Sequence, residues 1–495
     1  MKKSIALILL LLMAFAVLSC SSSNNSPDDE SNTAARTDKS QIGQEPDSPE
    51  PTKKESENLP EMDMEGFELR FYNYDYSWLM WAVNELTAEE ETGDLVFDEI
   101  YRRNRRVEDK YNCNIIETTV TNTNDRFKNI IRSGEDLYDI VLMYDEDVVG
   151  NYTQGFMHTW EKLPYLELDS PWWLQDANNV FKINNNQYAT VGAFSLAMYS
   201  RGFILVFNKT MAADLGISEN MYSLVRDGKW TFDKLTDIAK QAVSDLNGDG
   251  IMGQNDRYGV STAIKVFFGP LITGAGVKYI DSNEEGELHF AIPGNTYASD
   301  VMQKIYDLYN GNDIYYKIAN DVHDGRIAAQ GMFADQKILF IGTPTSSIPD
   351  FRAHEFDIGI LPFPKYSEQQ EKYYTLTSGA GVSVLPVSLS ADRFNKVGLV
   401  IEALARDSYQ GVLPAYKETT LKTKHARDDD SADMLDIIFN SLTFDLGLSV
   451  FPYDTYYVYM ENYLKMDNSF ASTTEKLEGR VSEAIKKLIE ASATE

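Results

Sequence analysis

The sequence predicts an α/β protein built as two lobes, and three observations carry that reading. The chain has 495 residues, too many for one compact core and suited to two domains of ordinary size. Between Phe67 and Tyr144 the strand and helix periodicities alternate as β-α-β-α-β, the order of a parallel sheet covered by helices on both sides. After Phe203 strand-like and helix-like segments resume.

The N-terminal stretch MKKSIALILLLLMAFAVLSC has a Lys2–Lys3 head, an apolar run from Ile5 to Leu18, then Ser19–Cys20. That run is too short to span a bilayer comfortably, so residues 1–19 read as a cleaved signal peptide. The VLSC segment resembles the lipobox of bacterial lipoproteins, which implies lipid on Cys20 as the new N-terminus. From Ser21 to Asn58 only Ala34, Ala35 and Ile42 are apolar, prolines apart. Such a segment buries too little surface to offset its ordering entropy, so residues 20–64 are expected to form a lipidated, disordered tether.

In the folded body, FELRFYNY places Phe67, Leu69 and Phe71 on one face of a strand. FDEIYRRNRRVEDKY spaces Phe97, Ile100, Val107 and Tyr111 as a helix, with Asn104 the one polar break. CNIIETTV is a second strand, DRFKNIIRSG a helix, and YDIVLMY a buried third strand. The arginines at 102, 103, 105 and 106 read as a solvated helix face paired with local carboxylates. FILVFNK is a strand and KWTFDKLTDIAKQAV a helix, with Thr231 as N-cap and Trp230 as a staple before it. KILFIG, FDIGILPF and GAGVSVLPV are further strands, and RFNKVGLVIEALARDSY a helix. The tail from Ser431 reads as helical.

Composition narrows the function. The formal charge is −31, and a chain so acidic repels phosphate backbones and anionic lipid. Nucleic-acid partners are therefore excluded, while neutral and cationic ligands stay open. With Cys20 lipidated, Cys113 is the only other cysteine, so no intramolecular disulfide forms; it reads as a buried, inert thiol.

DLNGDGIMGQND, residues 245–256, has the spacing of a calcium loop. Asp245, Asn247 and Asp249 fall at positions 1, 3 and 5, Gly250 turns at 6, the Ile251 carbonyl sits at 7, and Asp256 closes at 12. An ion-free Asn-Gly and Asp-Gly turn would favour the same residues. A calcium sensor needs paired loops flanked by helices that swing open. Here DRYGVSTAI follows with strand character, and DSNEEGELHFAI ends on Ile292 and reads as a hairpin turn. The expected ion is structural.

Catalytic signatures are missing: the sequence has no H-E-x-x-H, no G-x-S-x-G and no G-K-[ST], and its five histidines show no metal spacing. Carboxylates are too abundant for a glycosidase-type pair to be located or excluded. Aromatics are plentiful instead, with 29 tyrosines and six tryptophans. Pyranose rings lie flat on such surfaces while polar side chains take the hydroxyl edges. Trp78, just past the first strand, has the best claim as a platform, because ligands gather at carboxyl strand ends.

Nine segments, in order, resemble the extracellular solute-binding proteins of ABC importers, specifically the sugar-binding family 1 lipoproteins: VLSC, YDIVLMY, PWW, LVFNKTMAADLGI, DGKWTFDKLTDIAK, DLNGDGIMGQNDRYG, ADQKILFIG, IGILPFPK and GAGVSVLPVS. The resemblance implies a two-lobed periplasmic-binding-protein-like fold of class II, with a cleft between hinged lobes. Lobe one is expected to comprise residues 65–192 and 373–410, and lobe two residues 193–372 and 411–495. ATVGAF and YTLTSGAG are the expected crossings. The resemblance also implies a monomer without catalysis, capturing a carbohydrate, a neutral oligosaccharide, for an ABC permease from the outer face of the membrane. Trp78, Asp145, Trp173 and Gly379 are then expected to meet ligand, and the calcium loop to be structural. A surface glycoside hydrolase or lyase, and a receptor for peptides or other small solutes, remain as alternatives.

Overall fold

The structure is a computed structural model that describes residues 59–75, 83–183, 186–283, 287–311, 313–318, 325–421, 429–450, 463–464 and 470–492. Contacts separate Met1–Glu57 from Asn58–Glu495, and the described elements all lie in the second unit. The expected signal peptide, Cys20 and most of the tether lie outside the described residues.

Lobe one is built on β1 (Phe67–Tyr74), β2 (Cys113–Val120), β3 (Ile140–Tyr144) and the short β4 (Met157–His158). β1 pairs in parallel with both β2 and β3, as the alternating pattern predicts. The helices between them are α1 (Leu95–Tyr111) and α2 (Thr123–Ser133). Asp94 starts α1 by accepting from the Val96 and Phe97 amides, and Asn112 ends it in the left-handed region at φ 50°. Into this sheet the chain later returns as the strand Gly381–Pro386, antiparallel to β3 and placed between β3 and β4.

Lobe two holds a second sheet in the order Ile358–Leu361, Phe203–Asn208, Ile338–Pro344, Tyr258–Val260. Every residue of Phe203–Asn208 and Ile338–Pro344 is buried. Strands covered on both faces read as unbroken apolar runs, which FILVFN and ILFIG do. Trp230 is buried with its indole N–H on the Pro362 carbonyl, and Thr231 caps the helix Phe232–Lys240 through the Lys234 amide.

The two crossings run side by side. Thr190 bridges Ser383, and Gly202 bridges Thr377, both antiparallel. A further segment joins them: Leu442–Thr443 pairs in parallel with Thr375–Leu376. This segment touches both lobes, since the Thr443 hydroxyl donates to the Asp176 carbonyl and the Asp445 carboxylate accepts the Tyr279 amide at 3.1 Å. Residues 411–450 therefore do not keep to one lobe. The helix Val412–Leu421 packs on α1, while Asp429–Asn440 packs on Ile358–Leu361 and on Met221–Arg226.

The arginine cluster of α1 divides. Arg102, Arg105 and Arg106 pair with carboxylates, Arg106 with Asp407 and with Glu99 at 2.7 Å. Arg103 departs from the expected solvated face. It is buried and donates to the carbonyls of Phe194 and Leu86 and to the Ser408 hydroxyl. A guanidinium satisfied by carbonyls and hydroxyls tolerates burial that a bare charge would not. Cys113 is buried, and burial pushes its thiol up to about 12, with Glu108 adding to the shift.

Candidate ligand-binding cleft

The carboxyl ends of β1 and β3 bring Tyr74 and Tyr144 together, with ring centroids 4.4 Å apart. Directly after Tyr144 the chain turns into the helix α3 (Asp145–Tyr152). Asp145 is buried, and its Oδ1 accepts the amides of Gly379 at 2.8 Å and Ala380 at 3.2 Å. Two residues expected to share a site are thus in direct contact. Burial pushes the Asp145 carboxyl up to about 8, Glu146 adds to the shift, and the two amides oppose it.

Gly379 holds φ +66°, in the left-handed region that favours glycine. A Cβ there would stand 3.1 Å from Nη2 of Arg201. Arg201 comes from the outgoing crossing and donates to the Ser378 carbonyl at 3.1 and 3.2 Å. The return crossing therefore carries Asp145 on one side and Arg201 on the other.

Lobe two presents its own strand ends to the same place. The Thr345 amide donates to the Gly202 carbonyl at 2.9 Å, directly after Arg201 in sequence. Two residues on, the Ser347 hydroxyl accepts from Arg326 at 3.3 Å. The Thr262 hydroxyl donates to the Gly342 carbonyl at 2.9 Å, which holds the turn Ile264–Val266 beside the strand Ile338–Pro344. Lys265 lies on that turn. Burial pushes its ammonium down to about 8 and Arg201 pushes it further; Glu146, across from lobe one, opposes, and Arg326 adds to the fall. Lys265 thus feels charges from lobe one, the crossing and lobe two at once.

Trp173 does not join this group. It is 1% exposed, stands edge-on to Trp160 and Phe194, and donates its indole N–H to the buried Glu402 at 2.9 Å. Trp172 donates to the other oxygen of the same carboxylate at 2.8 Å. Trp173 is core, and Glu402 gives both its indole and that of the half-buried Trp172 a partner, which periodicity does not register. Trp78 lies outside the described residues. Arg201, Lys265 and Arg326, isolated cations in unremarkable sequence contexts, come near these strand ends only through the fold.

The loop at 245–256 connects the helix Phe232–Lys240 to the strand Tyr258–Val260. Its oxygens accept loop amides: Asp245 from Gly248 and Gly250, Asn247 from Asp249, and Asp249 from Ile251. Asp256 is fully buried and accepts from Leu246 and Gly253 at 2.9 and 2.7 Å. The donor set is all oxygen, the kind a hard cation takes. Among the described residues no three His, Cys, Asp or Glu side chains converge as a metal-binding group.

A separate cavity of 680 Å³ lies where both lobes meet the crossing, lined among others by Asp176, Lys278, Asp281, Lys372, Tyr374 and Asp445. None of the residues around Asp145 lines it. Two of its three lysines are matched internally, Lys372 on Asp176 and Lys278 on Asp281, each at 2.7 Å. The strand-end cleft is the better site, because both sheets aim their carboxyl ends at it.

Two α/β lobes that share a cleft at their strand ends define a two-lobed binding protein. The chain belongs to the family of bacterial extracellular solute-binding proteins, which it matches over residues 115–397. That family is extracellular, which assigns the chain to the cell envelope. Solved structures with the same fold include M. tuberculosis UspC (TM-score 0.54, 11% identity, covering 84% of this chain and 100% of that one). The ABC substrate-binding protein Lmo0181 from Listeria monocytogenes, solved with cycloalternan, gives a TM-score of 0.52 at 11% identity, covering 85% of this chain and 99% of that one. The GacH receptor of Streptomyces glaucescens, solved unliganded and with acarbose, gives 0.52 at 13% identity, covering 86% and 99%. Among curated protein sequences none matches the chain. Among the described residues no helix is long and apolar enough to cross a membrane.

Proposed function

We propose that the chain captures a carbohydrate between its lobes and delivers it to the permease of an ABC importer, without turning it over. The observation that carries this reading is the strand-end cleft, where Asp145, Gly379, Arg201 and Lys265 meet across the crossings. Support comes from similar folds solved with cycloalternan and with acarbose. Trp78, four residues after β1 in sequence, is the proposed stacking surface, and Asp145 with Gly379 braces the cleft wall.

The same proposal places the chain on the outer face of the cell membrane as a monomer, held by lipid on Cys20 after removal of residues 1–19. The VLSC segment and the polar stretch after it support that arrangement. A structural calcium ion is proposed at Asp245, Asn247, Asp249, Asp256 and the Ile251 carbonyl, supported by the spacing and oxygen chemistry of the loop. Titration with oligosaccharides, followed by recovery of the ligand, tests the central reading: saturable binding and intact sugar are expected.

A further inference from the structure

A further cavity, of 360 Å³, opens where the outgoing crossing meets the helices Phe394–Gln410, Val412–Leu421 and Asp429–Asn440. None of the residues around Asp145 lines it. Helical spacing builds its walls. Leu413 and Lys417 lie four residues apart on one helix, and Asp436, Phe439 and Asn440 three and four apart on the next, so each helix turns one face to the space. Tyr409, near the end of the first helix, adds an exposed ring. The first of these helices packs on α1 of lobe one and the last on the lobe-two strand Ile358–Leu361.

Tyr199 closes the cavity from the crossing. It stands in the short helix Ala197–Ser200, between the Thr190 and Gly202 bridges. Its backbone is pinned, because the Thr345 hydroxyl donates to the Tyr199 carbonyl and the Thr377 hydroxyl to the Met198 carbonyl at 3.2 Å. Its ring is buried, edge-on to Phe439 with centroids 5.2 Å apart. Its hydroxyl has no hydrogen-bond partner among the described residues, although the side chain lines the cavity. A buried phenol without a partner is costly, since its lost hydration is not replaced. Burial pushes this phenol well above its ordinary value, with Tyr409 adding to the shift, so it stays a neutral donor.

The ligand class follows from the lining. Among the described residues that line the cavity, Lys417 and Asp436 carry the charges, and they pair with each other. Such a site favours an uncharged ligand. A purely aromatic ligand would cover the rings and leave the Tyr199 hydroxyl and the exposed Asn440 amide dry. A pyranose has an apolar C–H face for a phenol ring and hydroxyls around its edge for the polar groups. At 360 Å³ the space lies near the lower end of ligand pockets, about 300–1,000 Å³, which suits one or two sugar rings.

We propose that this cavity is a second carbohydrate site, separate from the cleft, which takes a neutral pyranose. Tyr409 stacks on the sugar face, while the Tyr199 hydroxyl and the Asn440 amide take its edge oxygens.

The test is calorimetric titration of the full chain with glucose, galactose, mannose and N-acetylglucosamine, and with indole as an aromatic probe that lacks hydroxyls. At least one monosaccharide should bind saturably and raise the melting temperature. Tyr409→Ala and Asn440→Ala should each weaken that sugar about fivefold or more. Tyr199→Phe gives the distinguishing signature. It should weaken the sugar by a similar factor while the sugar-free melting temperature holds or rises, because the deleted hydroxyl has no partner to lose. A sugar that binds wild type and all three variants equally sits elsewhere, which overturns the site. Tighter binding of indole than of every monosaccharide overturns the sugar class, and failure of all four sugars to bind overturns the proposal. Each of these failures leaves the reading of the cleft standing, since no cleft residue is altered.

Discussion

The Asp145 carboxylate accepts the Gly379 amide at 2.8 Å, across 234 residues of sequence, and so ties the first turn of α3 to the return crossing. One oxygen takes both the Gly379 and Ala380 amides, so the end of β3 and the hinge are fixed to each other.

The contact has a pH signature. Burial and Glu146 raise the folded Asp145 carboxyl to about 8, against about 4 in an unfolded chain. Between those values the native state keeps a proton that the unfolded state has released, so this group's contribution to stability falls as pH rises and stops changing above about 8. Denaturant melts at pH 5 and pH 8 should show wild type losing more stability over that interval than Asp145→Asn. Equal losses in the two proteins would mean that the amide bonds keep the carboxyl ionised throughout.

The two candidate tryptophans should separate cleanly. Trp173→Ala removes a buried indole from the Trp160, Phe194 and Glu402 cluster and should cost about 3–5 kcal/mol of stability, with affinity kept in the folded fraction. Trp78→Ala should instead weaken sugar binding about tenfold and barely move the melt. Intact affinity with a large stability loss at Trp78 would make it core as well.

Calcium at the 245–256 loop predicts that chelation lowers the melting temperature. Asp249→Ala should abolish that effect. Asp256→Ala should destabilise with or without chelator, because its buried carboxylate also accepts the Leu246 and Gly253 amides. A wild-type melt that ignores chelator would reduce the loop to a turn held by its own amides.

Lipidation predicts that Cys20→Ala releases the protein from the membrane fraction. Retention of that variant would assign anchoring to the apolar segment Ile5–Leu18 itself.

Much of the fold is legible in the sequence because periodicity reports burial. The β1-α1-β2-α2-β3 alternation and the apolar runs at 203–208 and 338–344 follow from it, while the Trp230–Thr231 helix start follows from capping chemistry. Periodicity is blind to long-range polar partners. Arg103 reads as solvated until the Leu86 and Phe194 carbonyls and Ser408 surround it. Trp173 reads as a loop aromatic until Glu402, more than two hundred residues on, takes its indole proton. The Leu442–Thr443 pairing with Thr375–Leu376 is likewise hidden, because two-residue strands carry no repeat to detect. In the cleft, Asp145 and Gly379 could be named from the strand-end rule and the crossing turn. Lys265 and Arg326 could not, since only the fold brings them near these strand ends.

Capture of a carbohydrate without chemistry is the function proposed for the cleft. It is tested most directly by titrating the purified chain with oligosaccharides and then analysing the recovered sugar for its length. A saturable one-to-one isotherm, weakened by the Trp78→Ala cleft variant, is expected, with the ligand recovered at its original length after prolonged incubation. Shortened or unsaturated oligosaccharides would instead make the cleft an active site, and absence of binding to every glycan would remove carbohydrate as the solute.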